Sequence, residues 1–201
     1  MGDETIRLAE FASQLRFEDL PAPVVQRAKD SIADTIATIV FGRSLPWSNI
    51  IVTHARRVGS GGRSRILGDG ERPVTAPYAA LANGALAHAF ELDGATRPSA
   101  GAHPGATIFT AALALAQERG FSGSQLLAAF VAGSEVMIRI GRATKHSNET
   151  RGFHAPGTTG PFGAAIACAV AKTDATSWGP LPSGCQWVAH FGTTDSGAPF
   201  V

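Results

Sequence analysis

Apolar positions recur at helical spacing through most of the chain. Between Glu4 and Phe17, residues Ile6, Leu8, Ala9, Phe11 and Leu15 predict a first helix, which Asp19-Leu20-Pro21 interrupts. Pro23 suits the first turn of a second helix, where its missing N–H costs nothing. Val24, Val25, Ala28, Ile32, Ile36 and Val40 form that helix's apolar stripe, and Gly42 is placed to end it. Trp47 to Val58 predicts a third helix closed by Gly59. Residues 60–73 read as a loop holding one short extended piece, Ser64 to Leu67, which turns at Gly68-Asp69-Gly70.

The second half continues in the same period. Val74 to Leu92 is an alanine-rich helix whose small residues imply close helix contact, and Gly94 to Ala102 is a loop. Pro104 opens a helix through Gln117. Ser122-Gly123-Ser124-Gln125 matches a capping box ahead of a helix carrying Leu126, Leu127, Phe130, Val131, Val136 and Ile140. Residues 145–160 read as a polar, Gly-rich loop, and Phe162 to Lys172 as a last small-residue helix. From Thr173 onward neither the helical nor the strand period appears. The expected fold is all-α: a multi-helix, bundle-like domain over residues 1–172, then an irregular tail over 173–201.

Composition narrows the class. Of 201 residues, 44% are hydrophobic and 16% charged, too apolar a mixture for intrinsic disorder. A net charge of +1 leaves no electrostatic footprint for nucleic acid or an acidic membrane surface. The polar, acidic start is no signal peptide, and no apolar run reaches bilayer length. Cys168 and Cys185 make neither a disulfide scaffold nor a CxxC zinc site. These features predict a soluble, cytoplasmic protein, or a mitochondrial one in a eukaryote, with neither nucleic acid nor membrane as partner.

Candidate chemistry gathers in two loops. The first runs from His88 through Glu91, Asp93 and Thr96 to His103-Pro104-Gly105; the second runs from Arg151 through His154, Gly157 and Thr158 to Gly163. Each leads into an apolar helix, whose free N–H groups and partial positive charge favour a carboxylate. A histidine at each helix start, with carboxylates nearby, can move a proton near neutral pH. Plainer readings compete: histidines at helix starts are commonly capping or surface residues, and Glu91 and Asp93 can end a helix in solvent. His54 and His190 read as structural or exposed, and His146 as surface. Gly157 to Gly163 lacks the Lys-Ser/Thr of a phosphate loop. No H-x-x-x-H or H-x-E spacing fixes metal ligands, so no metal or other cofactor is expected.

Several unlinked phrases, in order, resemble the MmgE/PrpD family. They are His88-Ala-Phe-Glu-Leu-Asp93, the His103-Pro104-Gly105 helix start, and Gly152-Phe153-His154 followed by Gly157-Thr158, Gly160 and Phe162-Gly163. The Ala28–Ala37, Ala80–Ala89 and Gly133–Val136 segments fit the same order. The likeness covers roughly residues 4–172. It implies a large all-helical domain carrying both histidine loops, a smaller α/β lid later in the chain, and a homodimer. It also implies proton abstraction beside a carboxylate without a metal or organic cofactor. His103 and His154 match the family's active-site histidines, Glu91 and Asp93 its acidic phrase, and Thr96 its following threonine. Where the family often reads Asp-Asp-Thr, this chain reads Asp93-Gly94-Ala95-Thr96.

Two functions follow. The first is a lyase acting on a small di- or tricarboxylic acid, with dehydration ahead of epimerisation and decarboxylation. In it His103 and His154, aided by Asp93 and Glu91, move the proton, while Thr96, Arg151, Gly157 and Thr158 bind the acid groups. The second is a truncated, inactive helical fragment or association module. For residues 173–201 an out-of-frame origin is expected, because Gly184 to Thr193, read one nucleotide forward, permits a Gly-Ser-x-x-Ser-Gly-Leu phrase like the family's.

Overall fold

The computed structural model describes residues 3–70, 72–97, 99 and 101–171; the expected irregular tail lies outside them. Eight α-helices follow in order: α1 (Asp3–Gln14), α2 (Ala22–Arg43), α3 (Ser48–Val58), α4 (Ala76–Ala87), α5 (Thr110–Arg119), α6 (Gly123–Thr144), α7 (Ser147–Thr150) and α8 (Ala155–Ala171). The all-α reading holds. A strand, β1 (Ser60–Ser64), pairs only through bridges to Val74, and the described residues form no sheet.

Two apolar clusters hold the helices. Ile39 of α2, Val52 and Ala55 of α3, and Ala79, Ala82 and Leu86 of α4 make one. Ile108 and Phe109, Phe130 and Met137 of α6, and Ala167 of α8 make the other. The second depends on small residues. A Cβ at Gly133 of α6 would lie 2.5 Å from the carbonyl oxygen of Gly163 in α8, and one at Gly163 would lie 2.6 Å from that of Gly133. The two backbones touch where neither residue has a side chain. The predicted capping box opens α6: Gln125 N–H donates to Ser122 Oγ (3.2 Å), and Ser122 N–H donates to Gln125 Oε1 (2.8 Å).

Several boundaries differ from the sequence reading. The first helix stops at Gln14, and a 3₁₀ turn at Phe17–Asp19 follows, its Asp19 carboxylate accepting from the Arg16 N–H. The predicted stripe of α2 holds at Ala28, which is buried, but shifts elsewhere: Val24, Ile36 and Val40 are exposed, whereas Thr35, Ile39 and Gly42 are buried. Close packing of Gly42 on Leu86 of α4 and of Thr35 on Gly105 selects a small residue at these two positions. The extended piece is β1, four residues early. Arg65 and Leu67 are instead held by side chains, Leu67 N–H donating to Asn83 Oδ1 and Asn83 Nδ2 to the Arg65 carbonyl.

The corrections nearest the candidate chemistry lie at helix ends. Helix α4 stops at Ala87 rather than Leu92, with His88 as its C-cap and Glu91 in the left-handed region at φ 52°. The helix predicted from Pro104 opens with a single π-helical turn, Gly105–Phe109, and runs on into α5. The loop predicted at 145–160 is largely helical. After α7, α8 begins at Ala155 and takes Pro161 into its interior. Ala155, Pro156, Thr159 and Gly160 are buried on that turn, and this burial outweighs the backbone hydrogen bond that Pro161 cannot donate.

Candidate active site

Three helix ends meet at the site. His88 caps the C-terminus of α4, His103 precedes buried Pro104 at the opening of the π turn, and His154 precedes the first residue of α8. Gly105 anchors the middle end. A Cβ there would overlap Thr35 of α2, so the turn lies directly on that helix. The intervening loop is tied down from several sides. Gly94 N–H donates to Asp34 Oδ2 (3.1 Å), Thr96 N–H to the Ala102 carbonyl (2.9 Å), and Ser99 Oγ to the Ile138 carbonyl (3.2 Å).

Asp93 is the centre of the arrangement, with its side chain 0% exposed. One carboxylate oxygen lies 2.8 Å from His88 Nδ1, the other 3.1 Å from His103 Nδ1. An ionised carboxylate only accepts, so both Nδ1 atoms carry hydrogen and donate. Each imidazole therefore offers Nε2 for chemistry. The His88 ring stands 4.9 Å from that of His103 and 5.7 Å from that of His154, linking the two histidines that the sequence singled out.

Electrostatics favour the charged forms. Burial pushes the Asp93 pKa up, but hydrogen bonds from His103 and His88, reinforced by their charge, carry it below the usual value. The hydrogen bond to Asp93 raises the His103 pKa. Burial opposes that rise, while the charges of Asp93 and Glu91 add to it. Asp93 thus orients His103 and favours its protonated form.

Other expected site residues are placed less centrally. Thr96 lines a cavity of about 450 Å³ together with His103, Arg97, Ser99 and His146. Arg151, Gly157 and Thr158 are not on its wall. Arg151 and Gly157 are exposed, and Thr158 Oγ1 donates to the Ala155 carbonyl while accepting from Asn148 Nδ2. Glu91 is exposed, with Oε1 3.7 Å from His88 Nε2.

His88 had no role in the sequence reading, although it heads the quoted phrase. The available signal was its position five residues before Asp93 at the end of an alanine-rich helix. His146, read as a surface residue, is exposed but borders the cavity from a left-handed conformation at φ 64°. Among the described residues, two donor sets have ligand atoms within 4.8 Å of one another: His88, Asp93 and His103, and His88, Glu91 and His154. In the first, both Asp93 oxygens already accept from imidazole N–H groups.

An all-helical domain with a carboxylate-gripped histidine pair at converging helix ends suits proton-transfer chemistry on a small anion. Comparison with known proteins places the chain in a family. The model of the MmgE/PrpD N-terminal domain matches residues 6–174, and the chain belongs to this family. It is 30% identical over 158 residues to human cis-aconitate decarboxylase, covering 76% of this chain and 32% of that protein. It is 32% identical over 171 residues to cis-aconitate decarboxylase of Aspergillus terreus, covering 81% and 34%. A cis-aconitate decarboxylase-like protein of Aspergillus oryzae is 31% identical over 180 residues, covering 85% and 36%. The chain spans about a third of the length of these relatives. Among the described residues no helix is long and apolar enough to cross a membrane.

Proposed function

We propose that the chain is the helical, histidine-bearing part of a lyase that acts on a small di- or tricarboxylic acid. The observation that carries this reading is the Asp93 carboxylate, buried and gripped by His88 and His103 at 2.8 and 3.1 Å. A dyad of this kind holds an imidazolium in one orientation, ready to give a proton from Nε2. The cavity beside it also exposes Arg97 and His146, groups suited to carboxylates.

Decarboxylation takes first place, ahead of the dehydration expected from sequence, because the matched relatives are named cis-aconitate decarboxylases. In that reaction the carbon–carboxylate bond breaks, carbon dioxide leaves with its carbon, and the electron pair stays on the substrate. His103 then protonates that carbon. Dehydration would use the same parts differently. His154 would take a proton beside a carboxylate, and His103 would protonate the departing hydroxyl. Thr96, on the cavity wall, would bind an acid group, and Glu91 borders His88. Residues 1–172 are the proposed helical unit, and the complete enzyme a cytoplasmic or mitochondrial homodimer.

The test is turnover of a panel of unsaturated and hydroxylated tricarboxylic acids, following carbon dioxide and water loss separately. The reading expects carbon dioxide release from the unsaturated acid by the wild-type chain, at least 100-fold slower in His103→Ala, as general acids commonly contribute. Equal rates for the two proteins contradict it, including equal rates of zero.

A further inference from the structure

His88 holds an unbalanced group. Its Nε2 is sheltered from solvent and, among the described residues, has no hydrogen-bond partner. Because Nδ1 donates its hydrogen to Asp93, a neutral His88 ring presents a bare lone pair at Nε2. Facing it at 3.7 Å is Glu91 Oε1, which also has only lone pairs to offer. Two acceptors at that distance repel unless positive charge lies between them. Glu91 is also held at φ 52°, a conformation non-glycine residues rarely adopt. His154 completes the surroundings, its donor atom within 4.8 Å of the other two.

We propose that His88, Glu91 and His154 form a binding site for a divalent cation of the zinc class. Two imidazole nitrogens and a carboxylate oxygen are a zinc donor set, with a fourth position left open. Behind His88, Asp93 takes the other ring nitrogen's hydrogen, as carboxylates behind metal-binding histidines do. Zinc bonds of about 2.1 Å place tetrahedral ligands roughly 3.4 Å apart, so the set must close somewhat from its present spacing. Glu91 and His154 are both exposed, so the closure falls on side chains at the surface. A cation here engages His154 and so blocks, rather than assists, the reaction proposed above. The site itself does not depend on that reaction.

The experiment is calorimetric titration of the full chain with zinc chloride in a non-chelating buffer at pH 7.5, with cobalt(II) absorption as a second probe of tetrahedral ligation. One zinc per chain is expected, at micromolar affinity. Glu91→Gln and His154→Ala should each weaken it at least tenfold, while His54→Ala, on α3, leaves it unchanged. Circular dichroism melting confirms that the variants fold. Zinc binding unaffected by both Glu91→Gln and His154→Ala overturns the proposal. So does the absence of binding, the result expected if a proton on His88 balances the gap instead.

Discussion

Asp93 Oδ2 accepts a hydrogen bond from His103 Nδ1 at 3.1 Å, with the carboxylate wholly buried and the imidazole 17% exposed. The contact joins a loop acid to a helix-start base ten residues later. It depends on Gly94, Thr96 and Ser99 being tied to α2, to Ala102 and to α6. The electrostatics of the site therefore rest on the packing of a loop, and changes in either should register in the other.

The first prediction concerns stability against pH. His103 has a folded pKa above its ordinary 6.5, so its contribution is fully present below pH 6.5 and is lost as pH rises through the higher folded value. Asp93 has a folded pKa below its ordinary 3.8. Its contribution is present above pH 3.8 and is lost as pH falls through the lower folded value. Melting temperatures of wild type and Asp93→Asn should differ most between pH 3.8 and 6.5, and the difference should narrow on either side of that window. A difference that does not vary with pH would count against the charged pair.

The contact of α6 with α8 gives opposite signs at two glycines. Gly133→Ala must separate the helices, because its Cβ meets the Gly163 carbonyl oxygen at 2.5 Å. Overpacking of this kind costs about 1–3 kcal/mol. In Gly157→Ala the added Cβ has nothing within 4 Å, so helix propensity stabilises the protein by up to about 1 kcal/mol. Thermal or denaturant unfolding should lower the first and raise or preserve the second. A Gly133→Ala variant no less stable than wild type would mean the helices do not touch as described.

Asn83 makes a third case. Fully buried on α4, it accepts from Leu67 N–H at 2.8 Å and donates to the Arg65 carbonyl at 2.9 Å. Asn83→Ala leaves both backbone groups without that partner and should cost about 2 kcal/mol, measured by urea unfolding. A cost near zero would mean that the 65–67 segment is not held from α4.

Much of this architecture was legible in the chain. The period of apolar residues located the long helices, and Ser122 with Gln125 marked the start of α6. His103 and His154 stand out because unlinked phrases occur in order; the structure puts His103 beside Asp93 and His154 beside His88, each at a helix start. What periodicity could not supply was rotation and termination. The α2 stripe was misjudged because close packing buries Thr35 and Gly42 in preference to Ile36 and Val40. The first turns of α8 were hidden because Pro156, Gly157, Gly160 and Pro161 have loop-like propensities, and tertiary burial overrides them. His88 escaped notice because its role depends on a carboxylate brought back by a turn at Glu91, a three-dimensional fact with no spacing rule behind it.

The central claim is that Asp93 holds His103 in its protonated, oriented form. Its most direct test is a proton–nitrogen NMR titration of the histidine rings in wild type and Asp93→Asn. In the wild type, His103 should titrate above 6.5 with hydrogen kept on Nδ1 when the ring is neutral; in Asp93→Asn its pKa should fall, and the Nδ1 preference should weaken. A His103 titration and tautomer unchanged by Asp93→Asn would contradict the account.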